Sequence, residues 1–395
     1  MISVSEAKEI IRKNTISLQP KVMDLAGASG LVLAQDVTSN VDVPAFKQSS
    51  MDGYAFCFAD LARNEEFIIS IESPAGNDQQ LCLQPGEAAR IFTGAPVPEG
   101  ADTVVMQEKA IVKNKRLYIT DHEIIEGTNV RQKGAEICSG ALALPSGTIL
   151  TPGAIGFLSG TGCKSVTAIP PPSACILVTG NELQKPGLPL GYGQVYDSNS
   201  FALFAALGEA GVKDIQVLTV KDNIKDLTSS LANALEDHDL ILLTGGVSVG
   251  DYDFVIKAAE NLAITKLFHK IKQRPGKPLY FGQKDNRLVF GLPGNPSSVL
   301  SCFYHYVLPA IGYLQQKNSS LIITEAKLNS NYKKTVGLTH FLKGLYDGKK
   351  VTVLEAQESF RMFSFAKANC LIEIEEDIAE KSTGEMVKIY LLPNY

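Results

Sequence analysis

Residues 174–179 read ACILVT, and residues 240–244 read LILLT. Neither run contains a charge or an apolar/polar alternation, so both faces of each must be buried. That is the signature of a strand inside a parallel sheet with helices on either side. The sequence around the two runs supplies those helices. Residues 199–210 and 224–235 carry helical patterning, the latter with Leu227, Leu231 and Leu235 on one face. Residues 215–220 read as a strand, 254–260 as a helix and 288–292 (LVFGL) as a further strand, after which Asn295 opens a long helix. Strands alternating with helices predict a doubly wound α/β domain over 171–318. Ligands of such sheets sit beyond the carboxyl ends of the strands, which singles out the loops after Thr179, Thr244 and Leu292.

Outward from this domain the texture changes. Pro170-Pro171-Pro172 is a stiff break before its first strand. Upstream, Pro152 opens a short helix and a strand follows to Ile169. Residues 46–144 hold short apolar segments punctuated by Pro85-Gly86, Pro98-Glu99-Gly100 and Lys133-Gly134, which predicts a β-rich insertion. Residues 1–45 with 145–170 form a helical and extended N-terminal unit. Ser3 and Glu6 have capping-box spacing there, with Ala7, Ile10 and Ile11 on one helical face. Residues 319–395 carry alternating segments, such as 351–354 and 386–392, and predict a small all-β unit, a β-barrel. The expected fold is multidomain α/β plus β in four parts.

Composition excludes several classes of function. The 395 residues carry a formal charge of only -5, which offers no basic field for nucleic acid or a membrane surface. Residues 299–314 are the most apolar long stretch, but His305 and Pro309 interrupt them, so they read as a buried helix and not a membrane span. The start, MISVSEAKEIIRKN, is amphipathic and charged, unlike a secretory signal. Seven Cys, an odd number without any C-x-x-C pair, argue against zinc or a disulfide framework and for a reducing cytoplasm. The five His are scattered without ligand spacing. Neither G-x-G-x-x-G nor G-x-x-x-x-G-K-[ST] occurs, so dinucleotide and P-loop sites have no support.

Four loops of the α/β domain concentrate residues that carry chemistry. In the segment 292–298 (LPGNPSS), Gly294 permits close backbone approach, Asn295 suits an N-cap and Pro296 the first helical turn. With Pro293 ahead of them, the amides of Ser297 and Ser298 are expected to face an anion. The alternative is a plain strand-to-helix cap. The segment 244–253 (TGGVSVGDYD) leaves a buried strand with Gly245, Gly246 and Ser248, then places Asp251 and Asp253 two apart. Glycines suit a phosphate, and the carboxylates suit a hard cation such as Mg²⁺; a Gly-rich turn with capping acids is the simpler reading. Arg274-Pro275-Gly276-Lys277-Pro278, preceded by Lys272, is a stiff cationic loop fit to clamp an oxyanion or pyrophosphate. Glu182 follows the first strand, where a metal or ribose would sit. In the β-rich insertion, Asp52 before Gly53, and Thr93, read chiefly as turn chemistry.

Taken together, these segments resemble the molybdopterin molybdenumtransferase family, which includes bacterial MoeA and the E domain of gephyrin. The likeness is carried by residues 42–55 (DVPAFKQSSMDGYA), 91–108 (IFTGAPVPEGADTVVMQE), 178–183, 196–199, 244–253, 274–278 and 291–298. The MDGYA and TGAPVP pair narrows it. The resemblance implies an elongated protomer whose third subdomain is similar to molybdopterin adenylyltransferases. It also implies a cytoplasmic homodimer with a composite site, an adenylyltransferase as upstream partner, and Mg²⁺-dependent insertion of molybdate into adenylylated molybdopterin with release of AMP. By position, Asp52, Thr93, Glu182, Asp222, Asp253 and Lys277 fall on residues that the family uses functionally, and Ser359 falls on a family serine. Glu182, Asp251 and Asp253 are the implied Mg²⁺ ligands. Gly245, Gly246, Ser248, Lys272, Arg274, Pro293, Gly294, Asn295, Ser297, Ser298, Lys343 and Ser359 are the implied substrate contacts. Asn181, Arg274, Lys343 and Glu358 depart from residues common in the family. Two rival readings remain at this point: an adenylyltransferase-like nucleotide enzyme built on the α/β domain alone, and a non-catalytic scaffold of the gephyrin type.

Overall fold

The computed structural model describes residues 1–245 and 254–393. It divides into two compact units, one of residues 1–20 with 169–395 and one of residues 21–168.

The first unit is built on a six-stranded sheet. Its spatial order is Ile215–Val220, Ala174–Thr179, Leu240–Thr244, Arg287–Leu292, Tyr280–Lys284, Thr265–His269. The first four strands pair in parallel, and the last two are added by antiparallel pairings, so only Tyr280–Lys284 runs against the rest. Side chains alternate across a pleated strand, and here both sets are buried. Ala174, Ile176, Val178, Leu240 and Leu242 enter one core with Leu203, Leu207, Val299 and Phe303. Cys175, Leu177, Ile241 and Leu243 enter a second core with Leu227, Leu231, Val255 and Ala258. Helices Asn199–Glu209 and Pro296–Cys302 therefore cover one face, and Ile224–Asp237 and Phe254–Asn261 the other, as a doubly wound sheet requires. The parallel register pairs Thr179 with Val220, Val178 with Thr244, and Thr244 with Leu292. The strands thus end nearly flush, and their following loops share one edge.

Two features depart from expectation. The strands Thr265–His269 and Tyr280–Lys284 extend the sheet where no strand was expected. The helix opened by Asn295 is not regular: a π-helical turn, Phe303–Val307, separates Pro296–Cys302 from Leu308–Leu314. Pro309 accounts for the turn. Proline has no N–H and its ring crowds the carbonyl four residues earlier, which a wider turn relieves.

The C-terminal part of this unit is a closed five-stranded barrel. Its ring runs Thr339–Tyr346, Lys350–Val353, Ile322–Leu328, Met386–Leu391, Cys370–Ile374 and back to Thr339–Tyr346. Leu328, Leu342, Val351, Ile372 and Ile389 fill it. It is not purely β, because the helix Met362–Lys367 interrupts it. The short strand Gln273–Arg274 pairs in parallel with Thr339–His340, so the cationic loop of the α/β sheet is hydrogen-bonded to the barrel.

The second unit holds a six-stranded sheet in the order Thr103–Met106, Gly53–Phe56, Glu87–Ile91, Phe67–Ser73, Arg116–Ile119, Ala110–Lys113. Two small cores lie against it. A further three-stranded sheet and the helix Pro152–Gly160 enclose Leu33, Leu150, Leu158 and Val166. All seven Cys are free, with Cys175, Cys302 and Cys370 buried. The N-terminal segment holds one α-helix, Val4–Asn14, with the expected Ser3–Glu6 capping box. Among the described residues no helix is long and apolar enough to cross a membrane.

Candidate active site

The shared edge of the α/β sheet opens into a cavity of about 870 Å³. It is lined by Glu182, Gly245, residues 273–278, residues 293–295, Ser298, Leu338 and residues 357–360. All four of the loops singled out from the sequence therefore contribute to one space, with a fifth from the barrel. Gly245 fits because its φ is +86° and an added Cβ would lie 2.1 Å from the Thr179 carbonyl oxygen, so only glycine lets these two strand ends approach.

The cationic loop is held from behind. Gln273 is buried, and its Nε2 donates to the carbonyls of Pro275 (3.1 Å) and Gly276 (3.0 Å). Its Oε1 accepts from the Tyr306 hydroxyl, on the π-helical turn. Gly276, at φ +84°, is pressed against Cys302 and Gln273, and a Cβ would come within 2.5 Å of the Cys302 sulfur. The turn is thus fixed while Arg274 and Lys277 remain exposed on the cavity. Among the described residues neither has a carboxylate partner. Gln273 and Tyr306 were not foreseen; a lone Gln before a Pro-Gly turn carries no signal of a buried brace.

Lys272 points elsewhere. Its ammonium pairs with Glu376 at 2.7 Å, which raises its pKa, and it does not line the cavity. Lys343 corrects the expected substrate contact more sharply. It is 2% exposed, and its Nζ donates to the carbonyls of Ala356 (2.9 Å), Arg361 (3.2 Å) and Glu358 (3.4 Å). All three of its hydrogens are thereby engaged in closing the loop that carries Ser359. Burial pulls its pKa down.

The helix start at Pro296 also differs from expectation. Asn295 is the N-cap, but its side chain makes no capping bond and donates to Ser359 Oγ at 2.8 Å. The Ser297 amide donates to the Ser359 carbonyl (3.0 Å), and the Ser298 amide to the Asn295 carbonyl (3.0 Å). These two amides are therefore not free to hold a phosphate. The Ser297 amide and the Asn295 side chain join Ser359 to the sheet edge, while Pro293, Gly294, Asn295 and Ser298 line the cavity.

Of the acidic residues, Glu182 is exposed on the cavity. Asp222 is half-buried and accepts from the Thr179 hydroxyl at 2.8 Å. Gly246, Ser248, Asp251 and Asp253 lie outside the described residues. Among the described residues no three His, Cys, Asp or Glu side chains cluster as a metal site.

In the second unit Asp52 and Thr93 form a pair. One carboxylate oxygen of Asp52 accepts from both the amide and the hydroxyl of Thr93, each at 2.7 Å. The amide, then the hydroxyl, and then the field of Arg90 hold Asp52 below the usual carboxylate range. Arg90 lies over the rings of Tyr54 (5.0 Å) and Phe92 (4.8 Å) and donates to the Gly53 carbonyl.

Comparison with known proteins agrees across the chain. Residues 2–162 match the MoeA N-terminal region (domain I and II), residues 175–313 a probable molybdopterin binding domain, and residues 325–392 the MoeA C-terminal region (domain IV). The molybdopterin molybdenumtransferase of a Nostoc species is 35% identical, covering 94% of this chain and 89% of that protein. That of Haemophilus influenzae is 34% identical and covers 98% of both. The crystal structure of the molybdopterin biosynthesis MoeA protein from Pyrococcus horikosii covers all of both chains at a TM-score of 0.84 and 28% identity. Fold, loops and relatives agree that the chain belongs to the molybdopterin molybdenumtransferase family.

Proposed function

We propose that this protein inserts molybdate into adenylylated molybdopterin, cleaving the adenylate and releasing AMP in a step of molybdenum cofactor biosynthesis. The observation that carries the reading is the cavity itself. It offers two cations, Arg274 and Lys277, without a carboxylate partner among the described residues, on a braced loop, in one lining with Glu182 and the Asn295–Ser359 pair. Fixed cations of this kind suit a tetrahedral oxyanion and a pyrophosphate bridge, and they stabilise negative charge that develops at phosphorus. Among the described residues no cavity-lining side chain is set up as a covalent nucleophile, so position and field are the protein's contribution in this reading, and molybdate oxygen or water attacks phosphorus.

Mg²⁺ is part of this reading. A hard cation bridging phosphates keeps several waters and needs only one or two protein carboxylates. Glu182, exposed on the cavity, is one such carboxylate, and Asp251 and Asp253 are proposed to hold or orient the ion with it. When bound, the ion would neutralise the bridging phosphate oxygens. Asp222 and Asp52 are assigned supporting roles, the latter oriented by Thr93. We further assign the four-part domain division, the cytoplasmic setting, a homodimer with a composite site, and an upstream adenylyltransferase that supplies the substrate.

The test is single-turnover AMP release from adenylylated molybdopterin, with and without molybdate and Mg²⁺, alongside cofactor formation. The reading expects molybdate-dependent release that falls by at least tenfold in Lys277→Met. Tight binding without any release would overturn it. Mixing Asp52→Ala with Lys277→Met chains tests the composite site. A site shared between copies restores roughly a quarter of wild-type activity through mixed dimers, whereas a site within one chain restores none.

A further inference from the structure

Phe360 is the one aromatic residue among those described that line the cavity. It is 62% exposed, an unfavourable setting for a large apolar ring. The loop beneath it is nevertheless tied at several points. Lys343 binds three of its carbonyls, the Ser364 hydroxyl donates to Ala356 (2.7 Å), and the Ser297 amide holds Ser359 (3.0 Å). Arg361, paired with Glu358 at 3.1 Å, sets its guanidinium over the Phe360 ring at 5.4 Å. A well-tied loop thus holds an exposed aromatic ring on a cavity that also carries Arg274, Lys277 and Glu182.

We propose that Phe360 is a stacking platform for a planar, nitrogen-rich heterocycle of the substrate. The inference rests on the proposed function, whose substrate carries two such rings, a pterin and an adenine. Stacking is tolerant of ring identity and needs only a fixed π-face, which this loop supplies. The cationic loop and Ser359 would then engage the charged part of the same molecule.

The chain contains no Trp, so Phe360→Trp introduces a single Trp at the platform, whose red-shifted emission is separable from that of the 13 Tyr. Two probes separate the ring sources: AMP, and a free pterin such as pterin-6-carboxylate. Quenching of the new emission by one probe and not the other identifies the ring that stacks. Phe360→Ala and Phe360→Leu are expected to weaken binding of that probe roughly tenfold, since leucine keeps apolar bulk without a π-face. Phe360→Tyr should stay within twofold of wild type. Phe363→Ala is the control: Phe363 is 70% exposed and also lies beside a cation, Lys367 at 4.1 Å, but it does not line the cavity. Thermal melting of each variant checks the fold. Unchanged affinity for both probes in Phe360→Ala and Phe360→Leu would overturn the proposal, as would wild-type protein that binds neither probe. Wild-type protein that releases no AMP while ring binding still depends on Phe360 would sink the reaction and leave the platform standing.

Discussion

A lysine ammonium has three hydrogens to donate and nothing to accept. At Lys343 all three meet backbone carbonyls inside the barrel, while at Lys277 the group stands exposed on the cavity. The same substitution should therefore have opposite signatures. Lys277→Met is expected to leave thermal stability within about 0.5 kcal/mol of wild type, as exposed changes do, while turnover collapses. Lys343→Met strands three carbonyls and should cost about 1–3 kcal/mol of stability, raising KM through the slackened Ser359 loop more than it lowers kcat. Urea unfolding paired with steady-state kinetics separates the two; a Lys277→Met protein that unfolds early would contradict the assignment. At Asp52 the two Thr93 donors both favour the ionised form. Thr93→Val removes the hydroxyl and keeps the amide, so the Asp52 pKa should rise part of the way toward the ordinary carboxylate value. A carboxylate ¹³C titration by NMR reads this directly, and an unmoved titration midpoint would mean that the hydroxyl contributes nothing.

Elements were legible in proportion to how local their causes are. ACILVT and LILLT announce buried parallel strands because both faces are apolar, and the structure places their alternate residues in two different cores. Ser3 and Glu6 announce a capping box within four residues, and it forms. The strands Thr265–His269 (TKLFH) and Tyr280–Lys284 (YFGQK) mix charge, glycine and aromatics. They are strands because Arg287–Leu292 offers a free edge, a tertiary cause that no short window contains. The site divides in the same way. Glycine and proline mark its loops in sequence, but the brace behind the cationic loop comes from Tyr306, 33 residues away from Gln273. Such a brace predicts coupling. Gln273→Leu leaves two carbonyls and the Tyr306 hydroxyl without their partner, whereas Tyr306→Phe removes only one bond. The double variant should then cost less than the two singles summed, with an interaction of about 0.5–3 kcal/mol. Strict additivity in urea unfolding would show that the two side chains do not act as one support.

At the scale of the whole molecule, ionisation separates the two compact units. His305 and His340 both belong to the unit formed by residues 1–20 and 169–395, and they are 2% and 6% exposed. Burial is the main cause that pulls each pKa below 6.5. Lys8 and Lys388 add to it at His305, and Lys334 and Arg274 at His340, whose pKa falls to about 4. His305 stacks on Phe341, with ring centroids 3.8 Å apart, and the charged side chains that act on it, Lys8 and Lys388, are cations that oppose its protonation. The sign follows from proton counting. Below pH 6.5 the unfolded chain binds a proton at each histidine and the folded chain does not, so stability is full above that pH and declines as pH falls toward 4. The slope approaches about 1.4 kcal/mol per pH unit for each histidine. Residues 21–168 contain one histidine, His122, and it is exposed. Acidification from pH 7 to pH 4.5 should therefore lower hydrogen-exchange protection across Thr339–Tyr346 and Phe303–Val307, and spare Gly53–Phe56 and Glu87–Ile91. His340→Gln keeps a partner for Tyr332 and should remove about half of the slope. Equal loss of protection in both units, or no loss in either, would place the acid sensitivity somewhere other than these two buried imidazoles.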